Sequence, residues 1–155
     1  MLTVHIPGEP VAQGRPRFRR GPKFVSTYDP AKSRNWKAEA RAAMVAARAG
    51  NALPFAEGAL MVVIWAAFTC PKGEHRKREP RPPRWKHTKP DAENVAKAVL
   101  DAATGVLWTD DAQVARLDVR KMHAAQGDAP HVIVSVQPLP ADNEPLMWPE
   151  PIGQP

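Results

Sequence analysis

His87-Thr-Lys-Pro-Asp-Ala-Glu-Asn-Val-Ala-Lys-Ala-Val-Leu-Asp101, continued after a short gap by Trp108-Thr-Asp-Asp-Ala-Gln-Val114, is the stretch around which the chain is organised. Pro90 suits a helix entrance, Asp91 is a good N-cap and Gly105 a natural stop. Between them Val95, Ala98, Val99 and Ala102 recur at the helical period and form one apolar stripe. Glu93, Asn94, Lys97 and Asp101 fall on the opposite side. Asp110 and Asp111 follow a turn later, ahead of an alternating strand. The spacing thus predicts a helix N-terminus, a polar helix face and a turn converging on one place rich in carboxylate oxygen, with Lys97 beside it. Hard cations such as Mg²⁺ take such ligands, one or two carboxylates plus waters and phosphate oxygens. The same residues also have plain structural uses. Asp91 can be only a cap, Glu93 and Asp101 only i,i+4 partners of Lys97, and Asp-Asp ordinary turn chemistry.

The chain as a whole narrows the setting. At 155 residues it is long enough for one core but not two, so a single domain is expected. A net charge of +6 favours a polyanionic partner without bearing on fold. The lone Cys70, at the end of an apolar run, cannot form an internal disulfide and reads as a buried thiol in a reducing compartment. The N-terminus lacks the apolar length of a signal peptide, and the longest apolar run, Ala59–Phe68, is too short to span a bilayer. No histidine has zinc-site spacing. A cytoplasmic protein with no membrane partner is expected.

Upstream of the central stretch, Leu2, Val4 and Ile6 alternate with Thr3 and His5 as in a half-buried strand. Gly8, Pro10, Gly14 and Pro16 then break regular structure, and Arg15, Arg17, Arg19 and Arg20 cluster around Phe18 in a basic loop suited to phosphate contact. Lys23–Thr27 reads as a second short strand. Asp29-Pro30 opens a helix whose stripe is Trp36, Ala40, Ala43, Met44 and Ala47, ended by Gly50-Asn51. Ala59–Phe68 reads as a strand buried on both faces and central in its sheet. From Pro71 to Pro90 eight bases stand among prolines with only Glu74 and Glu79 against them. That segment, 71–90, reads as a flexible basic arm hinged beside Asp91, with Arg76, Lys77, Arg78, Arg81, Arg84, Lys86 and Lys89 available to a phosphate backbone and Trp85 as a stacking candidate.

Downstream, Ala115, Leu117 and Val119 alternate with charged residues, as do Val132, Val134 and Val136 with others, and Gln126-Gly-Asp128 lies between. The pattern predicts a closing hairpin. The tail 138–155, with six prolines, three acids and no base, is expected to be disordered or to lie along the surface.

The wording of the central stretch, K-P-D-x-[DE]-N-x-x-K-x-x-x-D-A and then W-x-D-D-x-Q-V, closely resembles the RusA family of Holliday junction resolvases of bacteria, their phages and prophages. A second match lies at the front, where Ile6-Pro-Gly-Glu-Pro-Val-Ala-Gln-Gly-Arg-Pro-Arg17 and Tyr28-Asp-Pro-Ala-Lys32 look like the phage-type members. The two matches run in order and cover about residues 2–137. The resemblance implies an α+β fold, with a mixed sheet and two main helices, a catalytic domain over 1–137, and a homodimer that makes paired symmetric cuts in four-way DNA junctions. A C₂ dimer would supply two sites related as those cuts require. It implies Mg²⁺, with Mn²⁺ as an alternative, held by Asp91, Glu93 and Asp111, and Lys97 stabilising charge on the phosphate. Asp101 and Asp110 match acidic positions of accessory role. Adjacent Asp110 and Asp111 should point apart, so only one is expected to be a direct ligand. The chain departs from the family at Glu93, where Asp is more frequent, and this puts metal preference in question. Two rival readings stay open: a nuclease for other branched or duplex DNA, and a DNA-binding protein without turnover.

Overall fold

The computed structural model describes residues 1–14, 17–20, 25–28, 30–48, 50 and 53–140, and for 17–20 and 25–28 it describes the backbone. A five-stranded mixed sheet carries two helices, which is the expected α+β architecture. The strands are β1 (Leu2–Pro7), β2 (Arg17–Arg20), β3 (Val25–Tyr28), β4 (Leu60–Phe68), β5 (Arg84–Trp85), β6 (Val114–His123) and β7 (His131–Pro138). The helices are α1 (Ala31–Ala47) and α2 (Ala92–Ala103). The main sheet runs β1-β7-β4-β6-β5, and β2 pairs with β3 in a separate two-stranded ribbon. Arg17 and Arg19, expected in a loop, therefore lie on a strand.

Strand β4 is third of five, as its apolar sequence requires. Its even-numbered positions Val62, Ile64, Ala66 and Phe68 are buried, whereas Met61, Val63 and Trp65 are half-exposed. The expectation of burial on both faces thus holds for one face only. Cross-strand register puts Val4 and Ile6 of β1, Val132, Val134 and Val136 of β7, and the even positions of β4 on the same side. That side packs against α1 through Trp36, Ala40 and Met44 and against α2 through Val95, Ala98, Val99 and Ala102, forming one core. Both helical stripes fall where the 3.6 period puts them. Fully burying a Val or Leu side chain is worth about 1.5–3 kcal/mol, so two helices that share one sheet face suffice to define it.

The predicted closing hairpin is not formed. β6 pairs parallel with β4, and β7 pairs antiparallel with β4 on its other side. The segment between β6 and β7 crosses the end of β4, with the Ala124 amide donating to the Phe68 carbonyl at 2.8 Å. Alternation assigns each strand a face but not a neighbour. The apolar β4 needs partners on both edges, and a β6–β7 hairpin would have left one of them open. β4, α2 and β6 instead form a parallel βαβ unit, which delivers Asp91 to the entrance of the crossover helix. No described helix is long and apolar enough to cross a membrane.

Candidate active site

Asp91 occupies the N-cap of α2 with extended backbone angles (φ −68°, ψ 146°), and its side chain makes no capping hydrogen bond. The carboxylate is exposed. An N-cap that does not cap keeps both oxygens available to a ligand at the positive end of the helix. Glu93 lies in the first turn, and Lys97 follows it at i,i+4, both exposed. None of the ion pairs between described residues uses Asp91, Glu93 or Lys97.

The front motif is folded against this helix end. The Gln13 amide donates to the Asn94 carbonyl at 2.7 Å, and the Ser33 hydroxyl of α1 donates to Gln13 Oε1 at 3.2 Å. Gly14 is required here, since a Cβ at that position would stand 2.8 Å from the Pro30 ring. A depression of about 670 Å³ results, lined by Ala12, Gln13, Lys89, Pro90, Asp91 and Asn94. Two motifs far apart in the chain thus share one surface.

The loop that presents Asp91 is pinned from β6. Lys121 donates to the carbonyls of Thr88, at 2.9 Å, and Pro90, which are the carbonyls on either side of Lys89. Lys86 donates to the Thr88 hydroxyl at 2.7 Å and lies 5.2 Å over the Phe68 ring. Burial pushes the Lys86 ammonium below its ordinary pKa, and the neighbouring Lys121 charge pushes it the same way. Lys121 carried no signal in the sequence: it is one charged residue of an alternating strand, and only the parallel pairing brings it across from Ala66.

The remaining acids do not join Asp91 and Glu93. Asp111 Oδ1 accepts from the indole of the fully buried Trp108 at 3.0 Å and from the Thr104 hydroxyl, at the C-cap of α2. Asp110 caps the 3₁₀ turn Asp111–Gln113, accepting from the Ala112 amide at 2.8 Å in a capping box with Gln113. Asp101 pairs with Lys37 of α1 at 3.3 Å. Helix α2 has 12 residues, so Asp91 and Asp111 sit roughly 18 Å apart along its axis. The expected convergence of all five acids therefore fails within one copy. The reason is elementary, since a turn that follows a three-turn helix lies at its far end. No three His, Cys, Asp or Glu side chains among the described residues are grouped to hold a metal. Asp91 and Glu93, both exposed at the start of α2, are oxygen donors of the kind a hard cation takes together with water and phosphate oxygens; Asp111 of the same copy lies at the other end of the helix.

The basic segment 71–90 is fastened along the sheet edge. Gln126 holds it with both ends of its amide, accepting from the Arg76 amide at 2.8 Å and donating to the Arg76 carbonyl at 3.0 Å. Arg81 Nε donates to the Glu74 carbonyl at 2.9 Å, while Arg84 pairs with the Glu74 carboxylate and reaches Cys70 Sγ at 3.6 Å. Arg81 and Arg84 thus brace the segment from within. Arg76, Lys77, Arg78 and Lys89 are exposed. Trp85 is 67% exposed, beside a shelf on which the Arg120 guanidinium lies 4.3 Å over Trp65. Arg15 lies outside the described residues, as do the side chains of Arg17 and Arg19 and the tail from 141 onward.

The family model of the endodeoxyribonuclease RusA matches residues 7–137, a span that takes in both the 10–14 loop and the two ends of α2. An uncharacterised protein of Bacillus subtilis (strain 168), YqaN, is 33% identical over 147 residues, covering 90% of this chain and 96% of that protein.

Proposed function

From a chain that belongs to the RusA family of endodeoxyribonucleases, we infer a cytoplasmic, divalent-metal-dependent enzyme that resolves four-way DNA junctions as a homodimer, by paired symmetric phosphodiester cuts. The observation that carries this reading is the N-terminus of α2, where an uncapped Asp91, Glu93 and Lys97 are exposed and the Ala12–Gln13 stretch of the front motif packs beside Asp91. Asp91 and Glu93 would hold Mg²⁺ or Mn²⁺, which supplies an activated water and neutralises charge on the phosphate when bound. Lys97, one turn along, donates to a non-bridging phosphate oxygen. Lys121 holds the Thr88–Pro90 backbone so that Asp91 keeps its place. The domain responsible spans 1–137.

The separation of the acids supports the dimer. One copy keeps Asp111 at the far end of α2, whereas a two-fold-related copy can bring its own Asp111 to the Asp91–Glu93 pair. Each dimer then has two composite sites related by the axis, which is the arrangement paired nicking of a symmetric junction demands. Asp101 and Asp110 are engaged by Lys37 and by the Ala112 amide, so they serve as supports.

The test has two arms. Cleavage in Mg²⁺ is compared across a mobile four-way junction, a fork and linear duplex; paired nicks on the junction are expected, and equal cutting of fork or duplex would favour the broader nuclease reading. Asp91→Asn and Asp111→Asn proteins, each inactive, are then mixed. Composite sites predict recovered nicking, because a mixed dimer contains one site with both acids intact. Sites built within one copy predict none.

A further inference from the structure

We propose that a second concavity, bounded by Lys32, Phe68, Lys86, Lys89 and His123, is a subsite for the DNA backbone phosphate next to the one that is cut. The proposal rests on the nuclease reading and deepens it by assigning the path of the strand. The concavity is about 500 Å³, within the range of sites that take small ligands. It shares Ala12, Lys89 and Pro90 with the depression at Asp91, so the two adjoin at one wall. A strand bound at Asp91 must leave by a neighbouring channel, and this one begins at the same wall.

Its chemistry suits a sugar–phosphate unit. Three ammonium groups come from separate parts of the chain, Lys32 from the first turn of α1 and Lys86 and Lys89 from the segment before Asp91. Among the described residues the one acid in the lining, Glu9, accepts from the Thr69 amide at 3.1 Å and the Thr69 hydroxyl at 2.5 Å. The three ammonium groups outnumber it, so the described lining keeps a net positive charge. His123 Nδ1 donates to the Thr69 carbonyl at 3.1 Å, since that oxygen can only accept, and the ring is thereby fixed as part of the wall. The buried Phe68 ring provides an apolar surface under Lys86. The lowered pKa of Lys86 is what partial desolvation of a cation produces, and an incoming phosphate would relieve it. Among the described residues the lining offers ammonium groups and no Arg fork. That suits point-charge contact with a backbone more than bidentate reading of bases.

Lys32 is the residue to test, because it is exposed, lies outside the Asp91 loop and can be replaced without touching the core. Binding of the full protein to an uncut four-way junction is measured without metal over a range of salt. Lys32→Ala should lower the log–log salt slope by about 0.9 per protomer, or about 1.8 for the dimer. The same junction is then made with one neutral methylphosphonate at each phosphate within two nucleotides of the nick. At one position the wild type should lose about one phosphate's worth of slope and Lys32→Ala should lose nothing more. An unchanged slope in Lys32→Ala, or independent additive losses at every position, overturns the subsite. If no DNA is cut but the slope change and the coupling at one phosphate persist, the subsite stands as a phosphate site and the nuclease reading is what fails.

Discussion

Replacing Asp91 by Asn separates a structural acid from a chemical one, because the two roles differ here by more than a factor of ten in their consequences. The side chain makes no capping hydrogen bond and is exposed, so no cap is lost, and Asn is about as good an N-cap residue in any case. What disappears is one negative charge at the positive end of α2, worth about 0.3–1 kcal/mol for a surface site. In a domain of this size that shifts Tm by roughly 1–4 °C. Even a protein only about 5 kcal/mol stable would stay folded almost completely after such a loss. The chemical role predicts a much larger effect, since a metal held by two carboxylates loses half its fixed charge. Cleavage should fall by on the order of a hundredfold or more, equivalent to about 2.7 kcal/mol of transition-state stabilisation. DNA binding should persist or tighten, because one repulsive charge has left the phosphate path. The assay is single-turnover nicking of an end-labelled four-way junction in Mg²⁺, alongside a thermal melt and a gel-shift titration of the same preparation. A rate within a few fold of wild type would refute the assignment of Asp91. A hundredfold loss accompanied by a melt lowered by tens of degrees would show instead that the residue holds the fold.

Three further outcomes follow from other parts of the molecule. Arg76, Lys77 and Arg78 are exposed while the Arg76 backbone stays clamped by Gln126, so the triple alanine variant should keep its fold and lower the salt slope for junction binding by up to about 2.7 per protomer; an unchanged slope would show that the segment does not meet DNA. Trp108→Phe removes the indole donor to Asp111 and opens space in a fully buried site; a stability loss of about 2 kcal/mol is expected, read as a Tm drop of about 4–8 °C, together with slower cleavage once Asp111 is no longer held. Gly14→Ala forces a Cβ to within 2.8 Å of the Pro30 ring, so the 10–14 loop must shift off α2; about 1–3 kcal/mol of destabilisation and weakened junction binding are expected, and wild-type values for both in a melt and a gel shift would show that the loop does not shape the site.

Local physics made much of this legible before any coordinates. The 3.6-residue stripes of α1 and α2, the stop at Gly105 (φ +69°) and the apolar run of β4 each depend on neighbours a few residues away, and each formed where it was read, although β4 is buried on one face only. The motif spacing placed Asp91, Glu93 and Lys97 together because one helix turn fixes their separation. Pairing was another matter. Alternation told which face β7 presents, but on β6 the expected apolar face is not buried, with Ala115 and Leu117 exposed, and nothing local told that β4 would lie between the two, because strand neighbours are chosen by burying both edges of the central strand, a property of the whole sheet. Lys121 and Gln126 owe their roles to that choice, and nothing around them in the chain could announce it. The distance from Asp91 to Asp111 was in principle countable from the helix length, yet the motif that joins them in sequence hides it. A sequence specifies which carboxylates are needed; whether they meet is decided by rigid helices, and here a roughly 18 Å helix holds Asp91 and Asp111 apart within one copy.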